Sequence, residues 1–215
     1  MTDKRESLHQ AISAIDHGMT VAIGGFGGAG FPTSLVSVLE KRRLHGLTIV
    51  SNNAARLEPM IESGMVARII CSFPFGGASD TLRKSIQNAA VEIKLLPQGT
   101  LSECLRAAGS GLGGVLTRVG IGTEFGEGRE IVEVHGKEYL LEPALNVEVA
   151  LIHASVADRW GNLVMRGTAR NFNCVMAMAA AISVAEAAEV VEIGEISPER
   201  CDLPGIFVDK VVKTA

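Results

Sequence analysis

The sequence predicts an α/β fold: a mainly parallel open sheet with helices on both faces and a small β-hairpin excursion. Three observations predict it. Short runs of branched apolar residues alternate with stretches of helical periodicity along most of the 215 residues, the pattern of a parallel sheet with helical crossovers. A glycine-rich stretch, Gly24-Gly25-Phe26-Gly27-Gly28-Ala29-Gly30-Phe31-Pro32, sits between the first apolar run and the next helix. One later segment instead carries two β-like runs around His135-Gly136, the mark of a hairpin outside the main sheet.

The elements follow in order. A first helix is expected over 7–16, ended by Gly18. Val21-Ala22-Ile23 is the first strand. Pro32 pre-sets a first helical turn, and helical periodicity then runs over 33–43. Thr48-Ile49-Val50 is the second strand, 56–63 a short helix closed by Gly64, and 67–71 the third strand. A polar helix is expected over 79–88. The fourth strand, 91–96, stops at Pro97, and a helix over 101–108 ends at Gly109. The hairpin pairs 131–134 with 137–141. Val147 to His153 is a buried strand, 157–164 a turn entering a strand, and 172–181 an alanine-rich helix. Ile182 to Ala185 and Val190-Val191 are strand-like, and Pro204-Gly205-Ile206-Phe207-Val208 leads to a last strand at 210–212. No linker, repeat or low-complexity tract divides residues 1–215, which read as one domain.

Composition narrows the function. Hydrophobic residues are 47% and aromatics 4% of the chain, so the core is aliphatic. Net charge is −4 with mixed signs; the absence of a basic stripe argues against nucleic acid or anionic membrane as a partner. The opening residues, Met1 to Ser7, start an amphipathic helix rather than a signal peptide, and no apolar run approaches a membrane span, so a cytoplasmic protein is expected. Cys71, Cys104, Cys174 and Cys201 are scattered without C-x-x-C spacing, so no metal site or redox dithiol is expected.

The glycine stretch is the strongest functional signal. Its glycines let backbone approach a ligand where side chains would collide. A following helix start offers N–H groups to an anion, so a phosphate, carboxylate or thioester oxygen is expected here. Gly25, Gly27 and Gly30 also fit G-x-G-x-x-G, but the second strand ends in Ser51-Asn52-Asn53 without the carboxylate a dinucleotide ribose requires. The alternative is a tight turn that needs small residues only for packing. A second signal is Leu96-Pro97-Gln98-Gly99-Thr100, at the carboxyl end of the fourth strand, where open sheets bind ligands. A neutral amide there can donate to an oxyanion, or the segment is a plain helix start. The cluster Arg166-Gly167-Thr168-Ala169-Arg170-Asn171-Phe172-Asn173 reads as structural ahead of anion-binding. Glu124, Glu127 and Glu130 read as a solvated loop, and the five histidines form no catalytic constellation.

Taken together, the glycine loop, Ser51-Asn52-Asn53, Pro97-Gln98-Gly99-Thr100, Gly109-Ser110-Gly111, Tyr139-Leu140-Leu141-Glu142, Ala157-Asp158-Arg159-Trp160-Gly161-Asn162-Leu163, Ala169-Arg170-Asn171-Phe172-Asn173 and Pro204 to Val208 resemble the alpha (A) subunit of family I 3-oxoacid CoA-transferases. The resemblance runs nearly end to end and in order, and is greatest to members that use 3-oxoadipate or acetoacetate. It implies the CoA-transferase (NagB/RpiA-like) fold and transfer of CoA from succinyl-CoA to a 3-oxo acid. It implies no permanently bound cofactor and no metal, the CoA thioester being substrate. It implies a partner, the beta (B) subunit, in an α2β2 assembly, with the nucleophilic glutamate on that partner in a Ser-Glu-Asn-Gly context; no such tetrapeptide occurs here. Gln98 matches the family's oxyanion donor, and Gly25, Phe26, Gly27, Gly28, Ala29, Gly30 and Phe31 match the loop that faces CoA or the acyl group. His17 stands where the family has Asp or Asn, and the segments after Asn53 and Pro74 are shorter than in many relatives, at the pocket rim. Two readings from other classes are a non-catalytic acyl-CoA or sugar-phosphate sensing domain and a stand-alone thioester hydrolase, which would need its own carboxylate at the site.

Overall fold

In a computed structural model of the chain, residues 2–74 and 80–214 are described. Four short apolar strands, β1 (Thr20–Ile23), β2 (Leu47–Val50), β3 (Val66–Cys71) and β4 (Glu92–Leu95), follow one another with helical crossovers. Their order and two long later strands, β8 (Val147–Asp158) and β10 (Ala180–Val191), with β11 (Lys210–Lys213), make the path β11-β10-β8-β1-β2-β3-β4. Every pair along it is parallel. The short β9 (Leu163–Val164) turns back antiparallel on β8.

Both faces of the central strands β1, β2, β8 and β10 are buried, as a parallel sheet demands, while the edge strand β4 is partly exposed. Period-two alternation sorts the side chains: Val21, Ile23, Ile49 and Leu151 join one apolar cluster, while Ala22, Val50, Ala150 and Ile152 join the other. The first cluster is covered by α1 (Leu8–Ala11), α2 (Thr33–Glu40), α3 (Glu58–Glu62) and α4 (Asp80–Gln87). The second is covered by α5 (Gln98–Gly109) and α6 (Phe172–Ala179), with Phe172 and Met176 fully buried among alanines of β8 and β10.

The hairpin stands off this sheet as expected. It pairs β6 (Ile131–Val134) with β7 (Lys137–Pro143) through a turn with φ of 51° at His135 and 71° at Gly136. A third strand not foreseen in the sequence, β5 (Gly114–Thr117), pairs with β7 to complete a small antiparallel sheet. Buried Glu142 on β7 takes an ion pair from Arg129, whose guanidinium lies 3.9 Å from the Phe125 ring centre. Glu124, Glu127 and Glu130 are exposed, in keeping with a solvated loop.

Several boundaries differ from expectation for identifiable reasons. The first helix is one turn, not ten residues. Ser7 and Gln10 form a capping box, but Gln10 C=O is taken three residues on by both the Ser13 N–H (3.1 Å) and the Ser13 hydroxyl (2.7 Å), which ends the regular helix. The strand expected to end at His153 runs on to Asp158, and the last residues expected of the alanine-rich helix belong to β10. The two strands pair from Ala180↔Val147 to Val191↔Asp158, and this long ladder overrides the weak apolar pattern of their alanine and serine positions. Ser79, expected to start the polar helix, lies outside the described residues.

One further difference bears on function. The sequence suggests that the helix start after the glycine loop receives an external anion. Pro32 caps α2 without a side-chain bond, and the donors are met instead by Glu186 of β10, which is 2% exposed. Its carboxylate accepts from Leu35 N–H at 2.9 Å, and the N–H groups of Ser34 and Thr33 also pull its pKa down. The chain's own carboxylate occupies the positive end of α2.

This cap is testable. Glu186→Ala leaves the buried Leu35 N–H without its acceptor and is expected to cost about 2 kcal/mol, read by urea unfolding, whereas Glu186→Gln keeps an acceptor and is expected to cost less. Burial pushes the Glu186 carboxyl above its ordinary value of 4.5, against the pull of the helix N–H groups. A raised folded-state value means the folded protein binds the proton more tightly, so this contribution is present below 4.5 and is lost as pH rises through the folded value. The margin of wild type over Glu186→Gln is therefore expected to narrow with rising pH; a margin that widens contradicts the burial.

Candidate active site

The glycine loop is a miniature hairpin. Gly24 N–H continues β1 by donating to Leu151 C=O (2.9 Å). Phe26 and Ala29 then exchange two backbone bonds, 2.9 and 3.1 Å, around Gly27 and Gly28, whose φ values are 59° and 96°. Two successive positive φ values define the tightest hairpin turn, and glycine adopts them without strain. A side chain on Gly27 or Gly28 would meet no atom within 4 Å, so these two are open outward.

Gly24 and Gly30 serve packing. A Cβ on Gly30 would lie 2.6 Å from Ala169 Cβ and from Asn173 Nδ2, and one on Gly24 would collide with Asn173 Oδ1. Asn173 is 0% exposed. Its Nδ2 donates to Gly30 C=O (3.1 Å) and Ala169 C=O (2.9 Å), and its Oδ1 accepts His153 N–H (3.2 Å). Thr168 Oγ1 donates to Phe26 C=O (2.9 Å), and the Phe26 and Phe172 rings stack at 6.2 Å. The 166–173 cluster is thus structural, as its composition suggests, and its role is to hold the glycine loop. Arg170 pairs with Asp202 at 2.8 Å.

Between the loop and the end of β2 lies a cleft of about 220 Å³ lined by Gly24–Ala29, Phe31, Ser51, Asn53, Ala55 and Arg56. Of the loop residues expected to face a ligand, Gly25, Phe26, Gly27, Gly28, Ala29 and Phe31 line it; Gly30 faces Asn173 instead. Gln98 is the first residue of α5, at the carboxyl end of β4. It is half-buried and does not line this cleft. Its Nε2 donates to Asn52 Oδ1 at 2.8 Å. Asn52, 4% exposed, also accepts Ser72 N–H (3.2 Å) and Phe73 N–H (3.0 Å) on its C=O. Asn52 therefore sits between Gln98 on one side and the cleft residues Ser51 and Asn53 on the other. The structure brings loop and amide to the same end of the sheet, linked through one buried asparagine.

The charges in and near the cleft are few. Arg56 carries the one formal charge among the described lining residues, its guanidinium 5.1 Å from the Phe31 ring centre. In the sequence Arg56 marks only a helix start; nothing in its local pattern singles it out. Burial pushes the thiols of Cys71, Cys104 and Cys174 up to about 11, so they are not thiolates at neutral pH. Burial also lowers the pKa of His153. Among the described residues no cluster of three or more His, Cys, Asp or Glu could hold a metal ion.

The Asp158–Asn162 motif proves to be a clasp. Buried Asp158 accepts Trp160 N–H (2.9 Å), Asn162 N–H (3.0 Å) and Asn162 Nδ2 (2.7 Å), while Asn162 Oδ1 accepts Gly205 N–H (2.9 Å). Lys4 Nζ donates to Gly205 C=O (2.7 Å) and Val208 C=O (2.6 Å), closing the same loop.

A parallel sheet with a glycine hairpin and the Asn52–Gln98 amide pair at its carboxyl end forms a candidate site, and its described cleft lining holds no carboxylate. The sequence profile of the Coenzyme A transferase family matches residues 5–214. The chain is 42% identical over 211 residues to the A subunit of 3-oxoadipate CoA-transferase from Pseudomonas putida, covering 96% of this chain and 91% of that one. It is 43% identical over 202 residues to the A subunit of succinyl-CoA:3-ketoacid coenzyme A transferase from Xanthomonas campestris pv. campestris (strain B100), covering 92% and 83%. The fold superposes on the acyl-CoA transferase apoenzyme of Escherichia coli O157:H7 with a TM-score of 0.84 at 22% identity, covering 100% of this chain and 48% of that one; this chain spans about half the length of that enzyme. The chain belongs to the coenzyme A transferase family, and the resemblance to its alpha subunits read from the motifs holds.

The two classes of loop glycine separate by experiment. Gly30→Ala puts a methyl into the Asn173 amide and is expected to lower stability by about 2–3 kcal/mol in urea unfolding. Gly28→Val meets open space but a left-handed backbone; it is expected to keep the fold while raising the Michaelis constant for the CoA thioester at least several-fold. A Gly28→Val protein with unaltered kinetics shows that the loop is packing alone.

Proposed function

We propose that this chain is the alpha subunit of a CoA-transferase that moves CoA from succinyl-CoA to a 3-oxo acid, 3-oxoadipate or acetoacetate, together with a beta subunit in an α2β2 assembly. The observation that carries the reading is the cleft itself: loop backbone, Ser51 and Asn53 face it, Gln98 joins through Asn52, and no carboxylate is among its described lining residues. The relatives from Pseudomonas and Xanthomonas support it over most of their length. No finding favours the sensing-domain alternative.

The chemistry follows from these parts. A carboxylate of the partner attacks the thioester carbonyl, forming a C–O bond and breaking the C–S bond. CoA thiolate leaves and then attacks the partner's acyl carbon, releasing the free acid and leaving a glutamyl-CoA thioester. The 3-oxo acid reverses these steps and departs as its CoA ester. Each addition places negative charge on a carbonyl oxygen. Gln98 is the donor for that oxygen: its Nε2 carries two N–H groups, of which Asn52 occupies one. The Asn52 contact fixes the amide before charge develops, so little reorganisation remains at the transition state. The loop residues Gly25, Phe26, Gly27, Gly28, Ala29 and Phe31 hold the CoA or acyl portion against the cleft, with Gly30 securing the loop from behind.

Gln98→Ala in the assembled complex is expected to lower kcat about a hundredfold, about 3 kcal/mol of transition-state stabilisation, with little change in KM. Gln98→Glu is expected to be worse, because its charge opposes the oxyanion. Near wild-type kcat for Gln98→Ala, with chemistry rate-limiting, removes Gln98 from this role.

A further inference from the structure

We propose that Arg56 is a specificity-determining residue that binds the distal carboxylate of a dicarboxylic acyl group, so that the complex favours acyl chains carrying a second acid. This rests on the CoA-transferase reading above and names a feature of its substrate. The placement is built into the backbone. Asn53 Oδ1 accepts Ala55 N–H at 2.7 Å, and Leu57 N–H donates to Ala54 C=O at 3.0 Å, which closes a tight turn across residues 53–57. Ala54 and Leu57 are fully buried on either side. Arg56 therefore leaves a fixed turn, lines the cleft, and has its guanidinium over the ring of Phe31 in the glycine loop. Stacking on a ring holds the planar fork in place while leaving its N–H edge free.

The charge has no internal use. Arg5, Arg68, Arg106, Arg129, Arg159 and Arg170 are each paired with a carboxylate; of the arginines outside these pairs, Arg56 is the one that lines this cleft. Arg56 is in no such pair among the described residues, and it lines a cleft in which no acidic side chain is described. A lone guanidinium in a cleft of about 220 Å³ matches a single carboxylate bidentately. The clustered phosphates of CoA call for several donors, and CoA itself exceeds that volume; a short acyl chain does not. With the thioester carbonyl near Gln98 and Asn52 and the chain running toward Arg56, a second carboxylate meets the fork, whereas a methyl end leaves it unpaired.

The test compares succinyl-CoA with butyryl-CoA, which has the same chain length and no distal acid, on the complex with its partner subunit. Butyryl-CoA is read as kcat/KM, or as an inhibition constant against succinyl-CoA where it is not turned over. Arg56→Ala is expected to reduce discrimination in favour of succinyl-CoA about 30-fold, the scale of a hydrogen-bonded charge pair, and Arg56→Lys is expected to fall between, since it keeps charge and loses the fork. Equal losses on both thioesters mean that Arg56 supports the loop or the CoA portion, and overturn the assignment. So does unchanged discrimination in a wild type that favours succinyl-CoA. A wild-type complex that uses butyryl-CoA and not succinyl-CoA overturns the proposed function and this assignment with it.

Discussion

The buried amide of Asn173 is the constraint on which the candidate site depends. Its three hydrogen bonds reach Gly30 in the glycine loop, Ala169 in the segment before α6 and His153 in β8. The glycine loop is distant in sequence from the other two, which lie within twenty residues of Asn173. A fully buried amide is stable only when its polar atoms are met, so the loop, the helix start and the strand are fixed together or not at all. Gly24 and Gly30 are glycine because the amide stands where their side chains would be.

That division leaves Gly27 and Gly28 for the ligand side. The loop does not borrow the helix dipole, since Glu186 already occupies the start of α2. In the proposed function, recognition falls to loop backbone, to Ser51 and Asn53 at the end of β2, and to the Asn52–Gln98 amide pair. Neutral donors suit a site where charge appears on an oxygen only transiently. A permanent cation beside the oxyanion would also attract the substrate's ground-state carboxylate; the one charged side chain in the described cleft lining, Arg56, lies over Phe31, and Gln98 is outside that lining.

Much of this is legible in the sequence. Alternating β and α periodicity identifies the sheet, Pro97 places Gln98 at the carboxyl end of β4, and His135-Gly136 marks the hairpin. What the sequence hides depends on partners distant along the chain. β5, Gly114–Thr117, is too short to stand out and exists because β7 pairs with it. The second half of β8 and the first half of β10 are rich in alanine and serine, weak β formers held by each other's ladder. Glu186 reads as one more charge in an alanine-rich stretch until β10 is laid beside β8 under the start of α2. Thr168 and Asn173 read correctly as structural residues, but that they hold the glycine loop is a tertiary fact. Arg56 gains meaning only from the cleft it borders.

The most direct test of the central claim is intact-mass spectrometry of both proteins once the complex has been incubated with succinyl-CoA and no acceptor, then quenched. A chain that contributes loop, amides and guanidinium but no nucleophile keeps its own mass, while the partner subunit gains the mass of CoA less water. A CoA adduct on this chain, or one formed by this chain without its partner, would contradict the account.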